Sequence, residues 1–256
     1  MIAVAQTTPP VPVNPCTAPG THLLCPDLRM PPATRVIAVH VGGRVRLLMD
    51  NKLTNVGPGP VEIHGHRDGH EYSMAATQWI KRKGGLAPLA FNTGARLTWK
   101  YVGAAHGGHY WKFKDAARFE LWATDSEGHR TKEVRVGPKH DYCLRDLFRQ
   151  RYGPTVRRTP YYGACSQVEH IQSDVLGISV GWADGYPYSY PQNWIDVTGL
   201  SGCYVIFQRA DPLNHIMEVS ETDNVSTRMV RLPYSPKHPA LNCPAYAGAL
   251  PPPATA

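Results

Sequence analysis

Two separated stretches carry the residues most able to do chemistry. Gly137-Pro138-Lys139-His140-Asp141-Tyr142-Cys143-Leu144-Arg145-Asp146 sets a lysine four residues before a cysteine, and residues 177–196 carry Tyr186 beside Pro187, ahead of Trp194-Ile195-Asp196. Histidines form two further groups. His106-Gly107-Gly108-His109 is an i, i+3 pair that a regular strand points to opposite faces, although two glycines let the backbone bend and bring the rings together. His64-Gly65-His66 has strand spacing, so both rings share one face, with His70 nearby; such a set could bind a metal of its own. His140 and His170 are candidate bases by position alone. Glu221-Thr222-Asp223-Asn224 reads as hairpin-turn chemistry.

The segments that must position these residues read as β-structure. Arg35–Val41 and Arg44–Met49 are strand-like runs around Gly42-Gly43, a hairpin signal. Residues 55–64 read as a turn followed by a strand, and Gln78–Lys81, Arg96–Val102, Arg118–Ala123, Tyr204–Arg209 and Ser226–Leu232 continue the alternating, aromatic-rich pattern. Asp125-Ser126-Glu127-Gly128 marks another hairpin turn. Asp146–Tyr152 reads as a short helix, on only seven residues of pattern. The expected fold is one all-β, antiparallel, sandwich-like domain with little helix and long functional loops between residues 137 and 200.

The chain has 256 residues, 42% of them hydrophobic, enough for one sizeable core, and its 24 prolines and 23 glycines fit the turns of an all-β protein. The formal charge of +7 is scattered, with small groups such as Lys81-Arg82-Lys83 and Arg157-Arg158. Scattered charge argues against a dedicated nucleic-acid surface and favours acidic extracellular polymers or proteins as partners. Six cysteines without a CxxC pair fit disulfides in an oxidising compartment, so a secreted or extracytoplasmic location is expected; six cysteines allow about 15 pairings. Ala3-Val4-Ala5 resembles the small-residue end of a signal peptide. No apolar run approaches the roughly 20 residues of a membrane span. Residues 1–24 read as a Pro/Thr-rich arm, 25–240 as the domain and 241–256 as an Ala/Pro tail anchored by Cys243. The sequence sets no oligomeric state.

The Lys139 and Tyr186 stretches together resemble the catalytic domain of the lysyl oxidase family, including its bacterial members. The resemblance runs from about Pro26 to Asn224 and includes Cys25-Pro26-Asp27-Leu28, the run Ala116-Ala117-Arg118-Phe119-Glu120-Leu121, Gln192-Asn193-Trp194-Ile195-Asp196-Val197-Thr198, and Asp211-Pro212-Leu213-Asn214-His215-Ile216-Met217-Glu218. It implies a copper-dependent amine oxidase that converts primary amines, peptidyl lysine or small amines, to aldehydes with release of hydrogen peroxide and ammonia. The electron sink would be lysine tyrosylquinone, built from Lys139 and Tyr186, since no native side chain accepts two electrons from a carbon–nitrogen bond. Cys143 and Cys165 would pair by the family pattern; Cys16 with Cys25 and Cys203 with Cys243 then follow only by elimination.

The resemblance breaks at the metal. Family members carry His-x-His-x-His shortly before the Ala-Arg-aromatic-Glu-Leu strand, and an ungapped register places those three positions at Gly108, Tyr110 and Lys112. Only His106 and His109 remain nearby as a degenerate copper site, and an ammonium at Lys112 repels a dication. The alternative expectation is therefore a catalytically silent member of the fold that binds an extracellular partner. Some animal members also bind calcium, and the counterparts here are Asp27, the carbonyl of Leu28, Glu218, Asp223 and Asn224, with Ser220 replacing one carboxylate; an all-oxygen set suits calcium.

Overall fold

The computed structural model describes residues 14–250 apart from Asp68, His70, Lys139 and Tyr152. The signal-like start, His70 and Lys139 therefore lie outside the described residues. Seventeen strands follow one another among those described: β1 (Leu23–Leu24), β2 (Leu28–Arg29), β3 (Val36–Val41), β4 (Arg44–Met49), β5 (Asn51–Asn55), β6 (Val61–His66), β7 (Ser73–Arg82), β8 (Leu89–Tyr101), β9 (His109–Thr124), β10 (Arg130–Val136), β11 (His140–Tyr142), β12 (Phe148–Arg149), β13 (Ser173–Ile178), β14 (Trp182–Tyr186), β15 (Trp194–Asp196), β16 (Gly202–Ala210) and β17 (Val225–Leu232). Two short 3-10 turns complete the set, so the expectation of an all-β antiparallel domain with little helix holds.

Ten strands make one sheet along the path β13-β6-β7-β8-β9-β16-β17, with β1 on β7 and both β10 and β11 on β9. Smaller sheets β12-β14-β5-β2 and β15-β4-β3 share its hydrophobic core, in which Leu28, Leu47, Leu53, Ile63, Trp111, Phe119, Ile178, Ile195 and Ile206 are all buried. Burying each such side chain contributes about 1.5–3 kcal/mol against chain entropy. The core lies between sheets because alternation sends every second residue inward, as in Val61, Ile63 and Gly65 of β6.

The β3–β4 hairpin closes at Gly42 and Gly43, with φ of 56° and 75°, and Val41 faces Arg44 across it. Two positive φ values in a two-residue loop match the right-handed twist of the flanking strands, and glycine adopts them without a Cβ clash. The helix expected at Asp146–Tyr152 is not formed over the described residues 146–151. Phe148 and Arg149 instead pair with Ala183 and Trp182 as β12, because a sheet edge offers backbone partners that a seven-residue isolated helix lacks. Asp146 is drawn inward, where its carboxylate accepts from the Ser179 backbone N–H and the Tyr161 N–H.

Three disulfides join Cys16 to Cys25, Cys143 to Cys165 and Cys203 to Cys243. Residues 14–24 are tied to the domain: Leu23 and Leu24 pair with Arg82 and Lys81, and Asn14 Nδ2 donates to the Glu221 carboxylate. Near the other end, Tyr246 packs edge-on against Phe207 and the Ala247 N–H donates to Gly128 O. No helix among the described residues is long and apolar enough to cross a membrane.

Candidate functional site

β9 is the strand that builds the site. It pairs with β8 through residues 109–113 and with β16 through 117–123, and between them Asp115 takes a φ of 56° where the partner changes. Alternation along its first half sends Trp111 and Phe113 to one face and Tyr110 and Lys112 to the other. Trp111 is fixed by two hydrogen bonds, its indole to Val168 O and its backbone N–H to Ser166 O. Lys112 is buried, on the face that also carries Tyr110.

Tyr186 arrives from β14, whose Gly185 lies so close to β5 that a Cβ there would meet Asn51 O at 2.7 Å. The following turn is closed by the buried Asn193, which donates to Pro187 O at 2.9 Å and to Tyr186 O at 3.3 Å. That turn stacks Tyr190 on Tyr186, with ring centroids 4.1 Å apart, while Tyr142 of β11 packs tilted against Tyr186 at 4.7 Å. The Cys143 N–H donates to Tyr186 Oη at 3.1 Å, so the disulfide-bearing stretch and the tyrosine stretch do meet. Lys139 lies outside the described residues; its neighbours are held on β9 by the Gly137 N–H to Phe119 O bond and the His140–Ala117 pair.

The Lys112 ammonium sits at the centre. Its three N–H groups face three acceptors: Tyr190 Oη at 2.6 Å, Tyr186 Oη at 3.0 Å and Asp141 O at 3.2 Å. Burial lowers its pKa to about 8, against the opposing pull of the Asp184 and Asp141 carboxylates and with help from Lys100 and Arg145. Asp141 is itself paired with Lys100 at 3.2 Å. Burial lifts Asp184 to about 6, and Arg145, 3.9 Å away, offsets part of that. Tyr186 and Tyr190 are both raised, first by burial and then by Asp184, so both stay neutral phenols. A cavity of about 240 Å³ opens onto this group, walled by His106, Tyr110, Lys112, Arg145, Phe148, Tyr186, Pro187 and Tyr190.

The two expected copper histidines part company. His106 lines the cavity edge-on to Tyr190, whereas His109 stacks on Trp99 at 5.4 Å and lies against Tyr101, away from the cavity wall. The residues present do not fit copper. Among the described residues no three His, Cys, Asp or Glu side chains converge here, and Tyr110 and Lys112 occupy two of the three register positions at which histidines were expected. His64 is engaged elsewhere, hydrogen-bonded to Glu62 at 2.9 Å and stacked on Trp79. His140 is buried against Phe119, and burial together with Lys112 pushes its pKa down to about 3; it does not line the cavity. His170 is exposed.

The late acidic residues do converge. Carboxylate oxygens of Asp211, Glu218 and Glu221 lie within 4.8 Å of one another. Glu218 is buried, accepting from the Leu28 N–H through Oε2 and from Asn224 Nδ2 at 2.8 Å through Oε1. Arg29 bridges Asp223 at 2.6 Å and Asp27 at 3.6 Å, which brings the expected Asp27, Leu28, Glu218, Asp223 and Asn224 into one neighbourhood. Oxygens on Asp27, Glu221, Asp223 and Asn224 are buried without hydrogen-bond donors, a donor-poor set that fits a hard cation. Ser220 turns instead to Thr222. Sequence reading did not assign Asp211 or Glu221 to this cluster, Tyr190 to the cavity wall, or Asp141 and Asp184 to the surroundings of Lys112. Each lies in a stretch already singled out, but only the tertiary turn directions reveal which side chains converge.

The fold is an all-β antiparallel domain, and the Tyr186 cavity lies beside β9 and β14. The chain matches the Lysyl oxidase family model over residues 85–243 and belongs to that family. No curated protein matches it.

Proposed function

We propose that this chain is a secreted lysyl oxidase-fold protein in which copper- and quinone-dependent amine oxidation has been given up and the cavity at Tyr186 serves as a ligand pocket. One observation carries the reading: the Lys112 Nζ stands 3.0 Å from Tyr186 Oη. A dication at that hydroxyl would face an ammonium at contact distance, with the interaction only weakly screened in a buried site. A primary-amine substrate, cationic at neutral pH, meets the same repulsion. The second reading, an active amine oxidase with Lys139 and Tyr186 as cofactor precursors, draws support from the Cys143–Tyr186 contact and from Tyr186 lining a cavity. Three disulfides fit an extracytoplasmic location under either reading.

The experiment is elemental analysis of purified, copper-exposed and dialysed protein, followed by phenylhydrazine titration of the same sample. Neither stoichiometric copper nor a quinone adduct is expected; both together would overturn the proposal in favour of amine oxidation.

The acidic cluster supports a separate, structural assignment: a calcium site that joins the start of the domain at Asp27 and Leu28 to the segment before β17. Glu218 provides the link, touching the Leu28 N–H on one side and Asn224 on the other.

A further inference from the structure

We propose that Lys112 is a nucleophile that condenses with a small, apolar-bodied aldehyde held in the cavity at Tyr186, forming an imine. The step balances without an oxidant. Neutral Nζ bonds to the carbonyl carbon, the carbonyl oxygen takes up the protons released from nitrogen, and it leaves as water while the carbon–nitrogen double bond forms.

Three independent features support this. First, Lys112 is buried, yet it lines an open cavity together with the two tyrosines its Nζ contacts. Desolvation lowers its pKa to about 8, so about half is neutral amine at pH 8, against well under ~1% for an ordinary lysine. Second, two phenol hydroxyls lie on Nζ, Tyr190 at 2.6 Å and Tyr186 at 3.0 Å. A neutral phenol hydroxyl both accepts and donates a hydrogen bond, so these groups can orient the Nζ lone pair and hydrogen-bond the departing oxygen, while solvent entering the open cavity takes the ammonium proton. Third, the cavity holds about 240 Å³ and is walled by Phe148, Tyr186 and Pro187. A cavity of roughly 150 Å³ accommodates benzene, so a benzaldehyde-sized body fits. A neutral carbonyl also escapes the charge repulsion that a cationic amine would meet.

The inference rests on Tyr186 remaining an unmodified phenol, which phenylhydrazine titration of the untreated protein reports separately. The test treats the full chain at pH 8 with dilute benzaldehyde and sodium cyanoborohydride, which traps imines and spares disulfides. Peptide mass spectrometry then reads the benzylation of every lysine. Lys112 is expected to label at least ~10-fold faster than the exposed lysines, reflecting its larger neutral fraction, and to keep that lead at pH 6 while its own rate falls roughly 50-fold. Lys112→Arg should abolish the fast site and leave the other lysines unchanged, and Tyr190→Phe should slow it. Labelling of Lys112 no faster than that of surface lysines in the native chain overturns the proposal, whatever the variants do. A phenylhydrazine adduct would refute the silent reading and remove the unmodified Tyr186 on which the inference rests, whereas slow Lys112 labelling without an adduct refutes the inference alone.

Discussion

Calcium should flatten the pH dependence of this fold's stability, and the acidic cluster sets the size of the effect. Burial raises the Asp211 carboxyl from 3.8 to about 6 and Glu221 from 4.5 to about 7, and holds Glu218 well above its ordinary range. A carboxyl whose pKa is raised on folding binds more protons in the folded state between the two values. Its contribution is therefore fully present below the unfolded pKa and lost as pH rises through the folded one. For Asp211 the difference corresponds to about 3 kcal/mol, and Glu221, which is partly solvated, adds about 1–2 kcal/mol. Calcium-free protein should thus lose on the order of 3–5 kcal/mol between pH 4 and 8 from this cluster. With an affinity in the range of extracellular modules, 10 mM calcium corresponds to roughly 10–100 times Kd and returns about 1.4–2.7 kcal/mol at pH 8. At pH 5 protons compete and the gain should nearly vanish. Urea unfolding followed by tryptophan fluorescence at pH 5, 6.5 and 8, with and without calcium, reads this as a midpoint shift of about 0.5–1 M at pH 8. Glu221→Gln keeps the acceptor for Asn14 and for the Glu218 N–H while removing one charge, and it should shrink both the pH slope and the calcium gain. A flat calcium-free profile, or an equal calcium effect at pH 5 and pH 8, would refute the reasoning.

Lys112→Met should remove a different pH dependence. Because the folded ammonium is depressed to about 8 from 10.5, the wild type gains stability as pH rises between those values, by up to about 3 kcal/mol, and the wild-type minus mutant difference in urea midpoints should show that rise. Tyr186→Phe strips the acceptor from the Cys143 N–H and one Lys112 donor, costing about 1–3 kcal/mol in a thermal or urea melt; no peroxide release from primary amines is expected from either protein. Opening the Cys143–Cys165 bridge, which spans a sequence separation of 22, by a double substitution to alanine should lower stability by about 3 kcal/mol, and a loss under 1 kcal/mol would assign that loop no role in holding the site.

The fold was legible because alternation and turn chemistry are local: the Gly42-Gly43 hairpin, the β6, β7 and β9 cores and the Asp125–Gly128 turn all follow from residues next to one another. Asp146–Tyr152 was not, since β12 exists only because β14 offers an edge for Phe148 and Arg149. The site divides the same way. Tyr186 and the departure at Lys112 were visible in linear register, but register alone presents Lys112 as a lost ligand. The structure gives it a positive role, because alternation on β9 drives an ammonium into the pocket and the 187–193 turn lays Tyr190 across it. A buried ammonium with all three donors engaged is costly to desolvate and, once paired, costly to unpair. Returning copper-binding histidines to positions 108, 110 and 112 therefore requires more than restoring ligands. Tyr190, Tyr186 and the Asp141 carbonyl, now organised around a cation, would each lose its present Lys112 donor, while Asp184 and Asp141 would keep Arg145 and Lys100 but lose the added attraction of Lys112.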